Sequence, residues 1–537
     1  MQIIVQLFNI PPINSKPLIS FILTHDSILK LSIMKVLLLT GKLARPILEE
    51  AVKGLKDEIY ILSLDYPIAS LMSMRYILEK LKDRKDEISG YDYVILPGLV
   101  YGDAKILENE LKVKVFKGTE NAWDIGLVID ALRRGVELST IYPADLVLSK
   151  SALNNIERIL KEIEDKASYS FDIGFKVPVR PPPFRILVEL DPSSSLEKWV
   201  EEIERTSKTT DGYVVGFPVG FNDLDEVRRR VKKVRDLVDV VGIDSDSSRV
   251  LKEGVRNGAS LVFNLNELNV EELQEIKESG FVVAPFSVEN RAETTIALVE
   301  KARRMGFKKL IADPVLSPPL MGFSSSIMDY IELSKRLPDV PLLMGTLNAT
   351  ELIDADSHGV NSLLAVMGSE IGISIFLTME KGKTRWSSWE LREATKMTTV
   401  AMAQGKVPKD LGVDLLIIKD KKRAVLSPDS KPRIKAKRED PVMDRAGFIH
   451  IVLDRRKIVA SFTGKREVAV EGDDGLSVGR TLLREIGEIS LDHALYIGYE
   501  LAKAEIASLL DKNYVQDEPL IRRLGDESSS TESHGPQ

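Results

Sequence analysis

The 537-residue sequence contains no cysteine and only five histidines. Without a thiol, the chain can form no disulfide, thiolate zinc site or iron–sulfur cluster, and it has no cysteine nucleophile. So few imidazoles also disfavour a metal site built mainly from histidine. The chemistry of this chain must therefore be carried by carboxylates, amides, hydroxyls and basic side chains.

Long hydrophobic runs and a strongly basic character are missing as well. The most apolar windows are interrupted well before the ~18 residues that a membrane-spanning helix requires. The net charge of −7 is mild and lacks the basic footprint of nucleic-acid-binding proteins. An apolar content of 44% is typical of a globular protein with a substantial core. We therefore expect a soluble, cytoplasmic protein that binds neither nucleic acid nor membrane.

Eight strand-then-helix units fill the stretch from Arg185 to Gln404. Apolar residues at i, i+3, i+4 and i+7, counted from Leu196 and from Val360, predict two of the helices. Strands that are apolar throughout are covered on both faces, which indicates a parallel sheet. Eight units match a closed (β/α)8 TIM barrel of about 250 residues better than an open doubly wound sheet of about six strands. The strands are predicted at 185–190, 212–217, 239–244, 261–265, 281–287, 310–315, 341–346 and 373–379.

Changes of composition divide the rest of the chain, giving an α/β protein in which smaller domains flank the barrel. Met34 opens a clean buried strand, so we expect residues 1–33 to be a miscalled start or a disordered extension, with a targeting peptide as the alternative. Nine of the twenty residues from Lys419 to Arg438 are basic, which indicates a solvated linker or a site for a phosphate-bearing partner. The predicted parts are an N-terminal α/β domain (34–150), a helical and Pro-rich connector (151–182), the barrel (183–405), the basic linker (406–440), a small C-terminal α+β domain (441–525) and a disordered tail (526–537).

Glycines follow several predicted strands of the N-terminal domain, at Gly41, Gly98, Gly102 and Gly118. Open α/β sheets bind ligands at such strand ends. The chain has neither the dinucleotide-binding fingerprint nor a P-loop there. Simple turns are therefore the plainer interpretation of these glycines.

Polar side chains follow the predicted barrel strands, where barrel enzymes place their sites. Carboxylates and amides suit a neutral heterocycle rich in N–H and C=O groups. The alternative is that they are turn formers and helix caps. The strongest candidates stand directly at strand ends and are Asp244, Asn264, Asp313 and Asn348. The full set is Glu189, Asp191, Asp244, Ser245, Asp246, Asn264, Asn266, Asp313, Thr346, Asn348, Thr378 and Glu380.

Three barrel segments carry a resemblance to a known family; they read VVGIDSDSSRVLKEGVRNGASLVFNLNE, LIADPVL and LLMGTLNATEL. They resemble the pterin-binding family, which includes the dihydropteroate synthases and the methyltetrahydrofolate–corrinoid methyltransferases. From Met34 to Leu520 the chain looks closest to archaeal dihydropteroate synthase-related proteins. The resemblance implies that Asp244 and Asn264 hold the pterin edge and that Asp313 binds its aminopyrimidine side. Asn348 would face the reactive nitrogen region of the ring.

The chain departs from a true dihydropteroate synthase at three strand ends, which read ELDPSSS (189–195), TLNATE (346–351) and LTMEKGKTR (377–385). The basic residues that would hold a diphosphate leaving group are absent from the expected places. Lys381, Lys383 or Arg385 could replace them from the last loop. Pterin binding is therefore better supported by the sequence than diphosphate chemistry.

The resemblance implies a transferase that joins a pterin-methyl group to an arylamine in folate or methanopterin-like metabolism. Asn348 and Arg385 are its predicted catalytic residues, a reduced pterin its substrate or ligand, and Mg²⁺ would accompany a diphosphate substrate. No metal site of the protein itself is predicted. One alternative is a methyltransferase that uses a methylated reduced pterin and a corrinoid or other methyl-acceptor protein as partner. A non-catalytic pterin carrier is the other, and a homodimer is a further option.

Overall fold

The computed structural model describes residues 33–409, 411–419, 434–437, 439 and 442–521. The predicted terminal extension up to residue 32, residues 410, 420–433, 438 and 440 of the basic linker, and the tail from residue 526 lie outside the described residues. The contacts within the chain divide it into two compact units, with the boundary between Leu426 and Ser427. The finer division into domains made from the sequence stays a prediction. In the described part of the chain, no helix is both long and apolar enough to cross a membrane.

The N-terminal domain is a four-stranded parallel sheet with the strand order β2-β1-β3-β4. In β1, Val36 and Leu38 point to one face of the sheet and Leu37 and Leu39 to the other, and each face has its own buried cluster. Helices therefore cover both faces of the sheet. The elements are β1 (Lys35–Thr40), α1 (Arg45–Ala51), β2 (Glu58–Ser63), α2 (Met74–Leu81), α3 (Lys85–Ile88), β3 (Tyr93–Leu96), α4 (Lys105–Leu111), β4 (Lys114–Lys117) and α5 (Ile125–Arg133).

A long helix and a hairpin lead into the barrel: α6 (Ala144–Lys166), β5 (Tyr169–Asp172) and β6 (Lys176–Pro178). The hairpin was not predicted, because its strands have only four and three residues and the following prolines indicated an extended connector. Ile173 and Val177 of the hairpin pack with Leu187 and Leu261 in the barrel interior. The hairpin thus contributes to the apolar filling of the barrel.

Eight parallel strands form the predicted barrel, in the order β12-β11-β10-β9-β8-β7-β14-β13. A parallel bridge between Ala312 and Leu342 closes it, and the Ala312 amide donates to the Pro341 carbonyl at 2.9 Å. The TIM-barrel prediction is confirmed. The strands are β7 (Arg185–Leu190), β8 (Gly212–Gly216), β9 (Val241–Asp244), β10 (Leu261–Leu265), β11 (Gly280–Val283), β12 (Lys309–Ala312), β13 (Leu343–Gly345) and β14 (Ile375–Met379).

Seven of the eight barrel strands are followed by an α-helix, whereas β10 is followed by a 3-10 helix at Glu272–Ile276. The two helices predicted from apolar spacing are present as α7 and α13, although Leu363 of α13 is 69% exposed. The helices are α7 (Leu196–Thr206), α8 (Leu224–Arg235), α9 (Ser248–Arg256), α10 (Arg291–Arg304), α11 (Phe323–Arg336), α12 (Leu347–Thr350), α13 (Ser357–Ile371) and α14 (Ser387–Gln404).

Strands β11 and β12 end several residues earlier than the sequence indicated. Strand β11 stops before Ala284-Pro285, and β12 stops before Asp313-Pro314. Proline has no amide hydrogen to donate, so it ends the hydrogen-bonded ladder. Asp313 therefore stands directly beyond a strand.

The C-terminal unit is an antiparallel meander with two helices. This combination of strands and helices agrees with the α+β class expected from the sequence. The Nδ1 atom of His493 lies 3.3 Å from Asp444 Oδ2. The elements are β15 (Gly447–Asp454), β16 (Lys457–Gly464), β17 (Val468–Gly472), α15 (Gly475–Ile486) and α16 (Leu491–Leu509).

Candidate active site at the barrel mouth

Three carboxyl groups, those of Glu189, Asp244 and Asp313, stand at the C-terminal ends of barrel strands. Leu187 and Ile311 belong to the apolar cluster that fills the barrel. Because side chains alternate along a strand, Glu189 and Asp313 continue the same inward-facing rows two residues later. Asp244 ends β9, which is separated from β7 by one strand of the sheet. The apolar interior therefore gives way to carboxyl groups at its mouth.

Burial controls the charge of the first two carboxyls. It raises the pKa of Glu189 to about 8, and the nearby charge of Asp244 adds to the effect. The pKa of Asp244 rises to about 6, mainly through burial and then through repulsion by Asp246. Near neutral pH, Glu189 is therefore a neutral acid that can donate a proton, and Asp244 is mostly a carboxylate. No hydrogen bond to the carboxyl group of either residue is found in the described part of the chain.

The carboxyl group of Asp313 is held on one side only. Its Oδ1 accepts hydrogen bonds from the Tyr330 hydroxyl at 2.5 Å and from the Val315 amide at 2.8 Å. Burial raises the pKa of Asp313 to about 6, against the opposing effects of these hydrogen bonds and of Arg291. The other oxygen, Oδ2, has no hydrogen-bond partner among the residues that the structure describes. Asp313 is thus oriented by the protein and keeps one acceptor for a ligand.

The loop after β12 links Asp313 to Asn348. The Arg291 guanidinium Nη1 donates to the Val315 carbonyl at 3.0 Å and to the Ser317 hydroxyl at 2.6 Å. The Asn348 Nδ2 amide group donates to the Leu316 carbonyl at 2.9 Å. The structure therefore brings Asn348 and Asp313 to the same loop.

Asn264 lies where β10 departs from regular alternation. The register with β11 shifts between Phe263 and Leu265. Phe263 points into the barrel interior, whereas Leu265 points outward, to the core between strands and helices. The Asn264 carbonyl accepts a hydrogen bond from Asn269 Nδ2 at 2.8 Å. No side-chain hydrogen bond of Asn264 is present within the described ranges. Its amide is therefore available at the strand end beside Asp244.

Arg385, the predicted catalytic cation, has neighbours in the helical layer. Its guanidinium carbon lies 5.9 Å from the centroid of the Trp386 ring. Its charge also opposes the rise in pKa that burial imposes on Glu202 of α7, to about 8. The catalytic role of Arg385 remains a prediction.

The two lysines of the last barrel loop have acidic partners. Lys381 Nζ lies 3.0 Å from Asp191 Oδ2, just beyond β7. Lys383 Nζ lies 3.6 Å from Asp354 Oδ1 in the loop after α12. Of the three candidate cations, Lys381 is therefore the one held beside the strand that carries Glu189.

Other polar residues of the predicted rim have structural roles. Glu380 accepts hydrogen bonds from the Trp386 and Ser388 amides at 2.7 and 2.8 Å, and it pairs with Arg205 at 2.8 Å. Asn266 Oδ1 accepts from the Leu268 and Asn269 amides. For these residues, the alternative of cap and turn formation is the correct one.

Sequence reasoning missed Tyr330 and Arg291, and it did not select Glu189 among the site residues. Tyr330 comes 17 residues after Asp313, on a helix whose pattern indicates only an apolar face. Arg291 opens α10 and resembles any exposed helix-start residue. The signal for Glu189 was available, because this acid interrupts the apolar run of its strand and follows Leu187 in its inward-facing row.

Replacing Tyr330 by Phe removes a hydrogen bond that stabilises the Asp313 carboxylate. The pKa of Asp313 is therefore expected to rise above about 6. If the carboxylate binds ligand, affinity is full above this pKa and is lost as the pH falls through it. The acid limb of pterin binding should therefore move to higher pH in Tyr330→Phe. The loss of one buried hydrogen bond should also lower the free energy of unfolding by about 1 kcal/mol.

Tyr213→Phe is the matched control, because the Tyr213 hydroxyl makes a buried 2.8 Å hydrogen bond to Thr206 away from the carboxyls. It should cost similar stability and leave the pH profile of binding unchanged. Identical pH profiles for the two variants would contradict the coupling of Tyr330 to Asp313.

No group of three or more His, Asp or Glu side chains within the described ranges is arranged to hold a metal ion. The carboxyls of the mouth are also groups that can accept hydrogen bonds and transfer protons. Ionised Asp244 and Asp313 can each accept two N–H donors, and neutral Glu189 can donate. Such a set is chemically complementary to a planar heterocycle with adjacent N–H groups.

Two family models match parts of the chain. One is described as "PterinBD-DUF4346" and matches residues 443–517 in the C-terminal unit. The other is described as a family of unknown function, DUF6513, and matches residues 34–120 in the N-terminal domain.

Solved structures with a similar barrel include a DHPS of Yersinia pestis with a pterine-sulfa conjugate. It is 17% identical, with 45% of this chain and 100% of that chain covered and a TM-score of 0.36. The dihydropteroate synthase of Thermus thermophilus in complex with 4-aminobenzoate is 17% identical, with 42% and 97% covered and a TM-score of 0.33. At these scores, the similarities say nothing about the chemistry of the site.

A relative that covers almost the whole chain is the "Uncharacterized protein MJ0107" of Methanocaldococcus jannaschii. The two sequences are 32% identical over 520 residues, which are 90% of this chain and 98% of the relative. Together with the PterinBD-DUF4346 match, this relative confirms the resemblance to archaeal proteins with a pterin-binding domain. The chain therefore belongs to the family of the Methanocaldococcus jannaschii protein MJ0107.

Proposed function

We propose that the barrel binds a reduced pterin at its mouth and transfers a one-carbon substituent of that pterin. The observation that carries the proposal is Asp313, whose Oδ1 is fixed by Tyr330 while Oδ2 is left without a partner in the described chain. The aminopyrimidine side of a pterin offers adjacent N–H donors to such a carboxylate. A family model whose name contains PterinBD matches residues 443–517 of the same chain, in the C-terminal unit and outside the barrel.

The remaining residues of the mouth have complementary roles in this proposal. Asn264 offers an amide that both donates and accepts, which suits the carbonyl and ring nitrogen of the pterin edge. Asp244 provides a second carboxylate, with a pKa of about 6. Asn348 braces the loop that follows Asp313 and faces the ring from the neighbouring strand end.

We infer that the donor is a methylated reduced pterin. A nucleophilic acceptor, such as a corrinoid or a thiolate, attacks the methyl carbon and forms the new bond. The bond between that carbon and the ring nitrogen breaks, and its electron pair stays on the nitrogen. Neutral Glu189, with its pKa of about 8, gives this nitrogen a proton and becomes a carboxylate.

The second candidate is the transfer of a pterin-methyl group to an arylamine. The arylamine nitrogen forms a bond to the methylene carbon, the carbon–oxygen bond breaks, diphosphate leaves and the nitrogen loses a proton. Lys381 beside β7 favours this candidate, because it is a cation close to the mouth. Asp244 and Asp313 oppose it by repelling a diphosphate, unless Mg²⁺ accompanies that group.

A paired assay tests the proposal. Purified full-length protein is given a methylated tetrahydropterin with a nucleophilic acceptor and, separately, a hydroxymethyl-dihydropterin diphosphate with 4-aminobenzoate and Mg²⁺. We expect turnover in the first assay. Turnover in the second alone establishes the arylamine reaction, and tight pterin binding without turnover establishes a carrier. Absence of pterin binding would overturn all three functions.

A further inference from the structure

The N-terminal domain contains a cavity of about 400 Å³ at the C-terminal edge of its sheet. Its lining comes from the ends of β1 and β3, from the segment after β4 and from residues around α1. This volume lies within the range of small-molecule pockets, about 300–1,000 Å³. The cavity is separate from the barrel mouth, since none of the carboxyls described above lines it.

The position of the cavity follows from the order of the strands. In the order β2-β1-β3-β4, the chain leaves β1 toward one edge of the sheet and later builds β3 on the other side of β1. The adjacent ends of β1 and β3 therefore form a topological switch point, where open α/β sheets bind ligands. Thr40 ends β1, and Leu96 ends β3 next to Pro97 and Gly98.

The loop after β3 and the segment after β4 approach each other closely beside the cavity. A Cβ atom on Gly98 would lie 2.5 Å from the Gly118 carbonyl oxygen and 2.6 Å from the Thr119 carbonyl oxygen. The Gly98 amide donates to the Thr119 carbonyl at 3.2 Å. The glycines after these strands are therefore required by backbone packing around the cavity, which goes beyond the turn interpretation.

One buried polar group faces the cavity without a partner. Thr40 is 1% exposed and lines the cavity. It follows Val36 and Leu38 in the row that points toward α5 and α1. Its hydroxyl makes no hydrogen bond within the described part of the chain. Buried hydroxyls are normally satisfied, so this group is available to a ligand.

The charge of the lining defines the class of ligand. Among the described residues that line the cavity, Glu120 is the single charged side chain, and none is Lys or Arg. Leu43, Ile68 and Leu99 are apolar lining residues that are 64%, 46% and 53% exposed. A phosphate or carboxylate would find no cation here and would face a carboxylate. The lining instead offers apolar surface, against which an uncharged apolar ligand can pack.

We propose that this cavity is a second binding site, for an uncharged and mainly apolar small molecule whose single polar end bonds to the Thr40 hydroxyl. The site does not depend on the function proposed for the barrel. It gives the N-terminal domain a ligand-binding role of its own.

The test uses full-length protein and a neutral fluorescent probe, N-phenylnaphthylamine. Hydrogen exchange with and without the probe locates its binding, and we expect protection of backbone amides in segments 38–48 and 95–99. Anilinonaphthalene sulfonate, the anionic counterpart, should bind at this site at least tenfold more weakly. Absence of protection in both segments, or equal binding of the anion there, would overturn the proposal.

Variants add a second readout. Thr40→Val removes the hydroxyl at nearly constant volume and should weaken probe binding about 2- to 10-fold. Ala44→Phe fills the cavity and should weaken it at least tenfold. Leu127→Trp is the control, because Leu127 is 56% exposed on α5 and does not line the cavity. Wild-type affinity in folded Ala44→Phe would contradict the site, and if that variant unfolds, the exchange data and Thr40→Val decide.

Discussion

Replacing Asp313 by Asn is expected to weaken the binding of a reduced pterin about ten- to hundredfold while the protein stays folded. A charge-assisted hydrogen bond in a buried site contributes roughly 1.5–3 kcal/mol, which corresponds to this change in affinity. The amide oxygen of Asn can still accept from Tyr330 and Val315, so the internal hydrogen bonds are kept. Asp313→Ala should lose at least as much affinity, and it leaves the Tyr330 hydroxyl without its acceptor. Titration of each variant with a dihydropterin at pH 7.5 measures the effect.

The matched control for this change is Asp239→Asn. Asp239 precedes β9, at the opposite end of the barrel, and its side chain is 98% exposed. Removal of its charge should leave pterin affinity unchanged. Equal pterin affinities of the wild-type protein and a folded Asp313→Asn variant would contradict the proposal that Asp313 binds the aminopyrimidine side of the pterin.

Glu189→Gln is expected to lower methyl-transfer turnover about 10²- to 10⁴-fold, the usual range for the loss of a general acid. Pterin affinity should change little, because Gln retains a hydrogen-bond donor at the same place. The wild-type rate should also fall as the pH rises through about 8, since the acid form of Glu189 is lost there. This limb should be absent from the residual activity of the Gln variant.

Stability measurements separate this loss of turnover from unfolding. The pKa of Glu189 is raised in the folded state, so its contribution to stability is fully present below about 4.5 and is lost as the pH rises through about 8. Glu189→Gln removes this dependence. Relative to wild type, the variant should therefore gain melting temperature at pH 8–9 compared with pH 5. A variant that is less stable at every pH would point to a structural role for Glu189.

Asn348→Ala and Arg385→Ala distinguish the two candidate reactions. For methyl transfer, Asn348→Ala should lower turnover strongly, because the amide braces the loop beside Asp313, and Arg385→Ala should have almost no effect. For transfer to an arylamine, Arg385→Ala should lower turnover far more than pterin affinity, since it would act on the leaving diphosphate. Both variants are measured with both substrate pairs.

The barrel could be predicted because its signals are local. Apolar runs such as 185–190 and 261–265 match the observed strands, since a strand buried on both faces must be apolar throughout. Asp244 and Asp313 were found for the same reason, because a polar residue at the end of such a run is visible in the sequence. The hairpin at Tyr169–Asp172 was missed, since short strands leave too little pattern to recognise.

The environment of the site could not be predicted, because it depends on packing between distant elements. Tyr330 reaches Asp313 through the placement of α11 on β12, and Arg291 reaches the same loop from α10. The raised pKa of Glu189 comes from burial and from Asp244 two strands away in the sheet. Conversely, Glu380 had the right strand-end position but is engaged by Arg205 and the start of α14. Position at a strand end identifies candidates, and only the three-dimensional partners separate ligand-binding groups from caps.

A crystal structure of the full-length protein soaked with a dihydropterin tests the central claim most directly. The account predicts ring density at the barrel mouth, with the amino and ring N–H groups within hydrogen-bond distance of Asp313 Oδ2 and with Asn264 at the adjoining edge. Density for the ring elsewhere, or an empty mouth at a saturating pterin concentration, would contradict it.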